Sequence, residues 1–297
     1  MRRKDAGHLG EQEPPPPKEH PFKLVERLTP YLERTITISE ILHWEKTNRG
    51  QEIVVADTLQ FGRTLIVDGI TQFCTYDEHF YHEALAHPAL TTHPSPASVL
   101  ILGGGDGMLA RECLKHDPVE RLLLVDFDEK IMTLSKRFFP GVEEVFKDQR
   151  VEVVLADALE YIDDGSRCNV LLVDVTDEED PHSARFFRKE FYVKASKIVG
   201  KDGIVGIQTG CPPLVDSTTF MKQTSALSEV FRRVSPYMTY VPSFGSAWGF
   251  ATASQRYSLQ DLDEREVEER LRERSVSNRF YDGALHAYFS KMRTEVS

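Results

Sequence analysis

The run Ser98-Val-Leu-Ile-Leu-Gly-Gly-Gly-Asp-Gly107 sets a carboxylate inside a glycine-rich turn, and that placement restricts both the fold and the ligand. Val99 to Leu102 form the unbroken apolar run of a buried parallel strand, and Met108 to Lys115 read as a helix. Glycines at a strand-to-helix turn let the backbone approach a nucleotide-like ligand closely. When that ligand is a dinucleotide, the helix N-terminus meets its pyrophosphate. Asp106 argues against such a ligand, because a carboxylate in the turn repels phosphate and attracts a cation.

Further acids follow at the ends of the next strands. Arg121 to Val125 is a second buried strand ending in Asp126, which stands roughly twenty residues after the glycine turn, where an acid can bind ribose hydroxyls. Val151 to Leu155 precedes Asp157 and Ala158, and Val170 to Val173 precedes Asp174 and Asp177. In an open α/β sheet the ligand crevice lies beyond the carboxyl ends of the strands, so Asp106, Asp126, Asp157 and Asp174 are expected to converge. Each has a plainer reading as a helix N-cap. Together they favour a ligand that carries hydroxyls and positive charge.

The predicted class is α/β, a doubly wound Rossmann-like parallel sheet of the methyltransferase type with a small β-rich domain before it. Residues 1–21 contain Pro14 to Pro17, lack apolar periodicity and read as a disordered extension. Residues 22–92 are assigned to the β-rich domain, with strands at Arg34–Ile38, Gln51–Ala56 and Arg63–Val67, a tight turn at Asp68-Gly69, and a helix from Asp77 to Leu90. Residues 93–297 are assigned to the catalytic domain. There Ser183–Val199 and Ser217–Phe231 read as helices, Gly203–Gln208 as a fifth strand, and Leu259–Arg274 as a solvated amphipathic helix. A formal net charge of -11 disfavours nucleic acid as a partner and suits a cationic one. Cys74, Cys113, Cys168 and Cys211 are widely spaced, which points to reduced thiols in a cytoplasmic protein and to no metal site. No stretch has the length to span a bilayer, and no signal-peptide core is present.

From about residue 35 to 255 the chain resembles the polyamine aminopropyltransferases, the family of spermidine, spermine and thermospermine synthases. The resemblance rests on Gly50-Gln51-Glu52-Ile53, Asp68-Gly69 with Gln72, Asp77-Glu-His-Phe-Tyr-His-Glu83, and His93-Pro94. It continues with Gly103 to Gly107 followed by Arg111-Glu112, Asp126-Phe-Asp-Glu129, Asp157-Ala158 and Asp174. It implies transfer of an aminopropyl group from decarboxylated S-adenosylmethionine, a co-substrate rather than a prosthetic group, to a polyamine amine. Carried over residue by residue, Gln51 and Asp106 contact the aminopropyl-sulfonium end, with Gly103 and Gly105 in the turn. Asp126 takes the ribose, and Asp157 with Ala158 the adenine. Tyr81 and His82 border the reacting centre, Tyr81 either as a hydrogen-bond donor or as packing. Asp174 matches the catalytic acid and Asp177 an acceptor-binding acid. The resemblance also implies a homodimer formed through the β-rich domain.

Two departures bear on the acceptor. The run Asp174-Val-Thr-Asp177 continues as Glu178-Glu-Asp-Pro181 where spermidine synthases usually place a proline directly. Those extra carboxylates either favour a longer, more cationic amine or are merely solvated. Spermidine synthases commonly carry a tyrosine near Phe244, whereas Pro242-Ser-Phe244 with Trp248-Gly249, together with Gln208, is more similar to thermospermine synthases. Spermidine is therefore the expected acceptor, giving thermospermine or spermine, with putrescine as the alternative. An S-adenosylmethionine methyltransferase and a non-catalytic polyamine-binding relative stay open.

Overall fold

The computed structural model describes residues 22–29, 32–47, 51–162, 167–176, 183–210 and 213–292. Five antiparallel strands lie side by side in chain order: β1 (Phe22–Thr29), β2 (Leu32–Lys46), β3 (Glu52–Thr58), β4 (Gly62–Val67) and β5 (Ile70–Cys74). The β4–β5 turn pairs Val67 with Ile70, and Asp68 and Gly69 both take positive φ (50° and 78°), as a two-residue hairpin turn demands. β1 had no counterpart among the expected strands, and β2 runs well beyond the short 34–38 strand expected. Their outward residues, among them Phe22, Val25 and Trp44, are apolar and exposed, which hides the alternation that marks a strand.

A second sheet has seven strands: β6 (Ser98–Gly103), β7 (Arg121–Asp126), β8 (Val151–Leu155), β9 (Val170–Asp174), β10 (Ile204–Gly210), β11 (Arg233–Val241) and β12 (Ser246–Ser254). Across the sheet they run β11-β12-β10-β9-β6-β7-β8. β6 to β10 are parallel, and β12 pairs antiparallel with both β10 and β11. Successive residues of the central strands enter opposite cores. Val99, Ile101, Leu122, Leu124, Val170 and Leu172 pack on one face, and Leu100, Leu102, Leu123, Val125, Leu171 and Val173 on the other. The chain leaves β6 for β7 and β8, then crosses back to β9, so the switch point lies between β6 and β9.

Helix α1 (Glu78–Thr92) lies in the first of these cores with the large sheet. Its Pro88 cannot bond the Ala84 carbonyl, and the Tyr237 hydroxyl donates to that carbonyl at 2.8 Å instead. The first unit was expected to run to residue 92, but α1 packs in the core of the large sheet, so we propose that this unit ends at residues 75–77. Helices α2 (Met108–Leu114), α3 (Glu129–Phe138), α4 (Val142–Lys147) and α5 (Ala158–Tyr161) follow the first strands. The expected helix at 183–199 is broken: a 3-10 turn at Ser183–Phe187 meets α6 (Lys189–Val199) at Arg188, whose backbone is extended. Helix α7 is Pro213–Ser228, earlier than expected at both ends. The charged C-terminal stretch forms α8 (Glu264–Glu273), followed by α9 (Gly283–Lys291), for which the sequence reading had no expectation. Its role is more than that of a solvated face. Val267 and Leu271 join the first core, and Arg270 and Arg274 donate to the carbonyls of Leu90, Thr91, Thr92, His93 and Pro94 at the C-terminal end of α1. No helix among the described residues is long and apolar enough to cross a membrane.

Candidate active site

The site is built at the β6/β9 switch point. Gly103 stands opposite Asp174 in the ladder, and the Gly104 N–H donates to the Asp174 carbonyl at 3.0 Å. At Gly103 φ is +82°, and a Cβ there would lie 2.0 Å from that carbonyl oxygen, so only glycine fits. Gly105 is excluded from carrying a side chain by the Asp126 carboxylate, 2.8 Å from where its Cβ would stand.

Three of the four strand-end acids are fixed by the same local device. Asp106 Oδ1 accepts the Met108 N–H (2.7 Å), Asp126 Oδ1 the Asp128 N–H (2.7 Å) and Asp157 Oδ1 the Leu159 N–H (2.8 Å). In each case a carboxylate closes on the amide two residues ahead. The plainer capping reading thus holds for Asp157, which caps α5, without displacing the others. Asp126 Oδ2 also accepts the Gly105 N–H at 2.9 Å, tying the tip of β7 to the glycine turn. Burial outweighs these bonds and pushes Asp126 up to about 6.

Asp174 has a different setting. Its Oδ1 accepts the Tyr81 hydroxyl at 2.8 Å, so Tyr81 is a donor and not packing alone. Oxygens of Asp106 and Asp174 and a ring nitrogen of His82 all lie within 4.8 Å of one another. Burial, and next the Asp106 charge, push Asp174 up to about 6, against the opposing influence of His82 and Tyr81. Burial works against a charge on His82, but its bond to Glu78 and the fields of Asp106 and Asp174 raise it to about 9. His82 Nδ1 lies 2.7 Å from the Glu78 carbonyl, and Glu78 in turn accepts from Arg111 Nη2 at 2.7 Å. This Glu78–His82–Arg111 chain was not anticipated as a unit, although the i,i+4 spacing of Glu78 and His82 was readable.

Beyond Tyr81 an aromatic wall rises from the β11–β12 connection and the start of β12. Phe244 meets Tyr81 edge-on at 5.8 Å and Trp248 at 4.9 Å. The Trp248 indole N–H donates to Gln208 Oε1 at 3.2 Å, and Gln208 Nε2 donates to the Val175 carbonyl at 2.9 Å. Gln208 thereby links this wall to the residue after Asp174. The expected Asp177, like Cys211, lies outside the described residues.

Three assigned residues make their contacts outside this cluster. Asp157 is partly exposed, and its Oδ2 takes Arg185 Nη2 at 2.9 Å, a partner that sequence reasoning missed; Ala158 beside it is the buried first residue of α5. Gln51 sits in the β2–β3 turn, where its backbone pairs with Thr47. From there β3 carries Ile53 and Val55 onto Met108 at the start of α2.

The sequence pattern described as "Spermine/spermidine synthase domain" matches residues 78–264. The chain belongs to the spermine/spermidine synthase family. A second pattern, "Spermidine synthase tetramerisation domain", matches residues 24–74 of this family member. Polyamine aminopropyltransferase 1 of Hyperthermus butylicus is 40% identical over 242 residues, covering 80% of this chain and 82% of the relative. The polyamine aminopropyltransferase of Pyrobaculum calidifontis is 38% identical over 282 residues, 92% of this chain and 96% of the relative. Among solved structures, a spermidine synthase in complex with the transition-state analogue AdoDATO superposes with a TM-score of 0.86 at 26% identity, covering 95% of both chains. The Thermotoga maritima spermidine synthase gives 0.84 at 27% identity, covering 95% of this chain and 94% of its own.

Proposed function

We propose that this polyamine aminopropyltransferase takes its aminopropyl group from decarboxylated S-adenosylmethionine and transfers it to spermidine in preference to putrescine, releasing methylthioadenosine. The observation that carries the donor is the position of Asp106 in the glycine turn, beside Asp174 and His82. Two carboxylates against one imidazolium suit the terminal ammonium of the decarboxylated donor. The same pocket repels the carboxylate of S-adenosylmethionine, which disfavours the methyltransferase reading. In this reading Gln51 borders the aminopropyl end, Asp126 binds the ribose hydroxyls, and Asp157 with Ala158 meets the adenine.

The sulfonium already makes the thioether a good leaving group, so the work lies on the nucleophile. An alkyl amine with a pKa near 10 arrives protonated and must lose that proton to attack. The amine lone pair forms the new C–N bond to the methylene carbon, the C–S bond breaks, and its electron pair stays on sulfur. The proton passes to Asp174 and on to solvent. A carboxylate raised towards neutrality is the better acceptor for it, and the Tyr81 bond holds the carboxylate in line. This pairing supports catalysis over a binding-only relative.

The acceptor reading rests on Phe244. It presents an apolar edge beside Tyr81 where a hydroxyl would hold a short diamine, and Gln208, Trp248 and Asp177 are assigned to the same side. Exposed Phe22, Val25, Leu32 and Trp44 on β1 and β2 support self-association through the N-terminal sheet, as a dimer or tetramer that light scattering would distinguish. Incubating the protein with the decarboxylated donor and either putrescine or spermidine, then separating the products, tests the function. A tetraamine formed from spermidine supports it. Spermidine formed from putrescine alone overturns the acceptor assignment, and no product overturns the activity.

A further inference from the structure

Asp77 directly precedes α1, where a carboxylate is a preferred N-cap, yet it makes no capping bond. Its fully buried side chain reaches elsewhere. Oδ2 accepts the Ser243 N–H at 2.5 Å across 166 positions of chain, and Oδ1 accepts the Cys74 thiol at 2.9 Å. Burial, with the Asp77 charge beside it, pushes Cys74 up to about 12, so the thiol keeps the proton it donates. Ser243 is the middle residue of the 3-10 turn Pro242–Phe244, and it too is buried. The residue that follows the turn lies against the N-terminal sheet. At Gly245, with φ +69°, a Cβ would stand 3.1 Å from Arg34 Nη1. Arg34 is paired with the buried Glu26, which also accepts the Thr71 N–H at 2.6 Å. A buried carboxylate is costly unless its lone pairs are filled. Here it is filled by a turn distant in sequence, and that turn carries Phe244.

We propose that Asp77 is a positioning residue for acceptor selection: its bond to Ser243 sets the Pro242–Phe244 turn, and with it the stance of Phe244 against Tyr81 and Trp248. The proposal rests on the reading of Phe244 and Trp248 as the acceptor wall. Asp77 touches neither substrate and acts only through the turn.

The test compares Asp77→Ala, Asp77→Ser and Asp77→Asn in the full chain carrying Trp44→Phe, which leaves Trp248 as the sole indole. Alanine offers no acceptor and serine is too short to reach Ser243, whereas asparagine keeps one oxygen for the amide. Ala and Ser variants are expected to raise the acceptor KM about ten- to hundredfold, as loss of a hydrogen bond to a charged group does. They should leave the Kd of methylthioadenosine within about twofold, as for an independent site, and shift Trp248 emission. Asparagine should restore all three. An unchanged acceptor KM with unchanged emission overturns the proposal. An equal loss of methylthioadenosine binding, or failure of both Ala and Ser variants to fold, also overturns it, by assigning Asp77 to general stability. Phe244→Ala separates the proposal from the reading beneath it. If that variant keeps the acceptor KM, the acceptor wall is wrong, while Trp248 emission still reports whether Asp77 holds the turn.

Discussion

The halves of the cleft that we assign to donor and acceptor are assembled in opposite ways. On the side assigned to the donor, Asp106, Asp126 and Asp157 each close on an amide two residues ahead, at or just past the end of a parallel strand. Short-range chemistry orients those carboxylates once the sheet exists. On the side assigned to the acceptor, the hydrogen bonds that join its elements are long-range: Tyr81 to Asp174, Trp248 to Gln208, and Asp77 to Ser243, spanning 93, 40 and 166 positions. A locally braced half tolerates change in its surroundings. A half assembled through tertiary contacts can be retuned by altering any one of the elements that meet there, which suits the role we propose for it in selecting the amine.

The comparison can be broken first at the residue where both halves meet. Asp174→Asn removes the proton acceptor and keeps the shape, so kcat is expected to fall about 10²- to 10⁴-fold. Methylthioadenosine binding should hold, because the donor-side acids are braced without Asp174. Single-turnover kinetics would show a rate near wild type if this assignment is wrong. Next in size is Tyr81→Phe, expected to lower kcat/KM about tenfold through loss of one hydrogen bond to a charged group. Its sharper signature is in pH. The wild-type rate should fall as pH drops through about 6, where Asp174 takes up a proton. The Tyr81 hydroxyl favours the carboxylate, so its loss should move that acid limb to higher pH. A limb that stays in place would show that Tyr81 does not act on Asp174. Smallest is Phe244→Tyr, which returns a hydroxyl to the acceptor side. The ratio of kcat/KM for putrescine to that for spermidine should rise by about three- to tenfold, the worth of one modest hydrogen bond. Competition between the two amines in one vessel measures it, and an unmoved ratio would remove Phe244 from acceptor choice.

The same asymmetry explains what the sequence disclosed. The strand-end acids, the glycine turn and the alternation of the sheet were legible because each is a short-range pattern with one physical solution. The Tyr81–Asp174 bond was legible only as two alternatives, since no local rule states where an aromatic hydroxyl on α1 will point. Arg185 beside Asp157 and Asp77 beneath Ser243 were missed for the same reason. Asp77 reads as the first residue of the helix, whereas it stands just before α1 and turns its side chain away from the helix end. In the C-terminal region, charge density concealed the burial of Arg274. Its guanidinium is satisfied by the carbonyls of Leu90, His93 and Pro94, and composition gives no sign of that.

The most direct test of the central claim is calorimetric titration of the wild-type protein and Asp106→Asn with decarboxylated S-adenosylmethionine, S-adenosylmethionine and methylthioadenosine. The account predicts that the wild type prefers the decarboxylated donor over S-adenosylmethionine by at least about 100-fold, the cost of bringing a carboxylate up to Asp106 beside the ammonium that both donors carry. Asp106→Asn should lose most of that preference while binding methylthioadenosine nearly as before. Equal affinity of the wild type for the two sulfonium compounds, or an equal loss of all three ligands in Asp106→Asn, would contradict it.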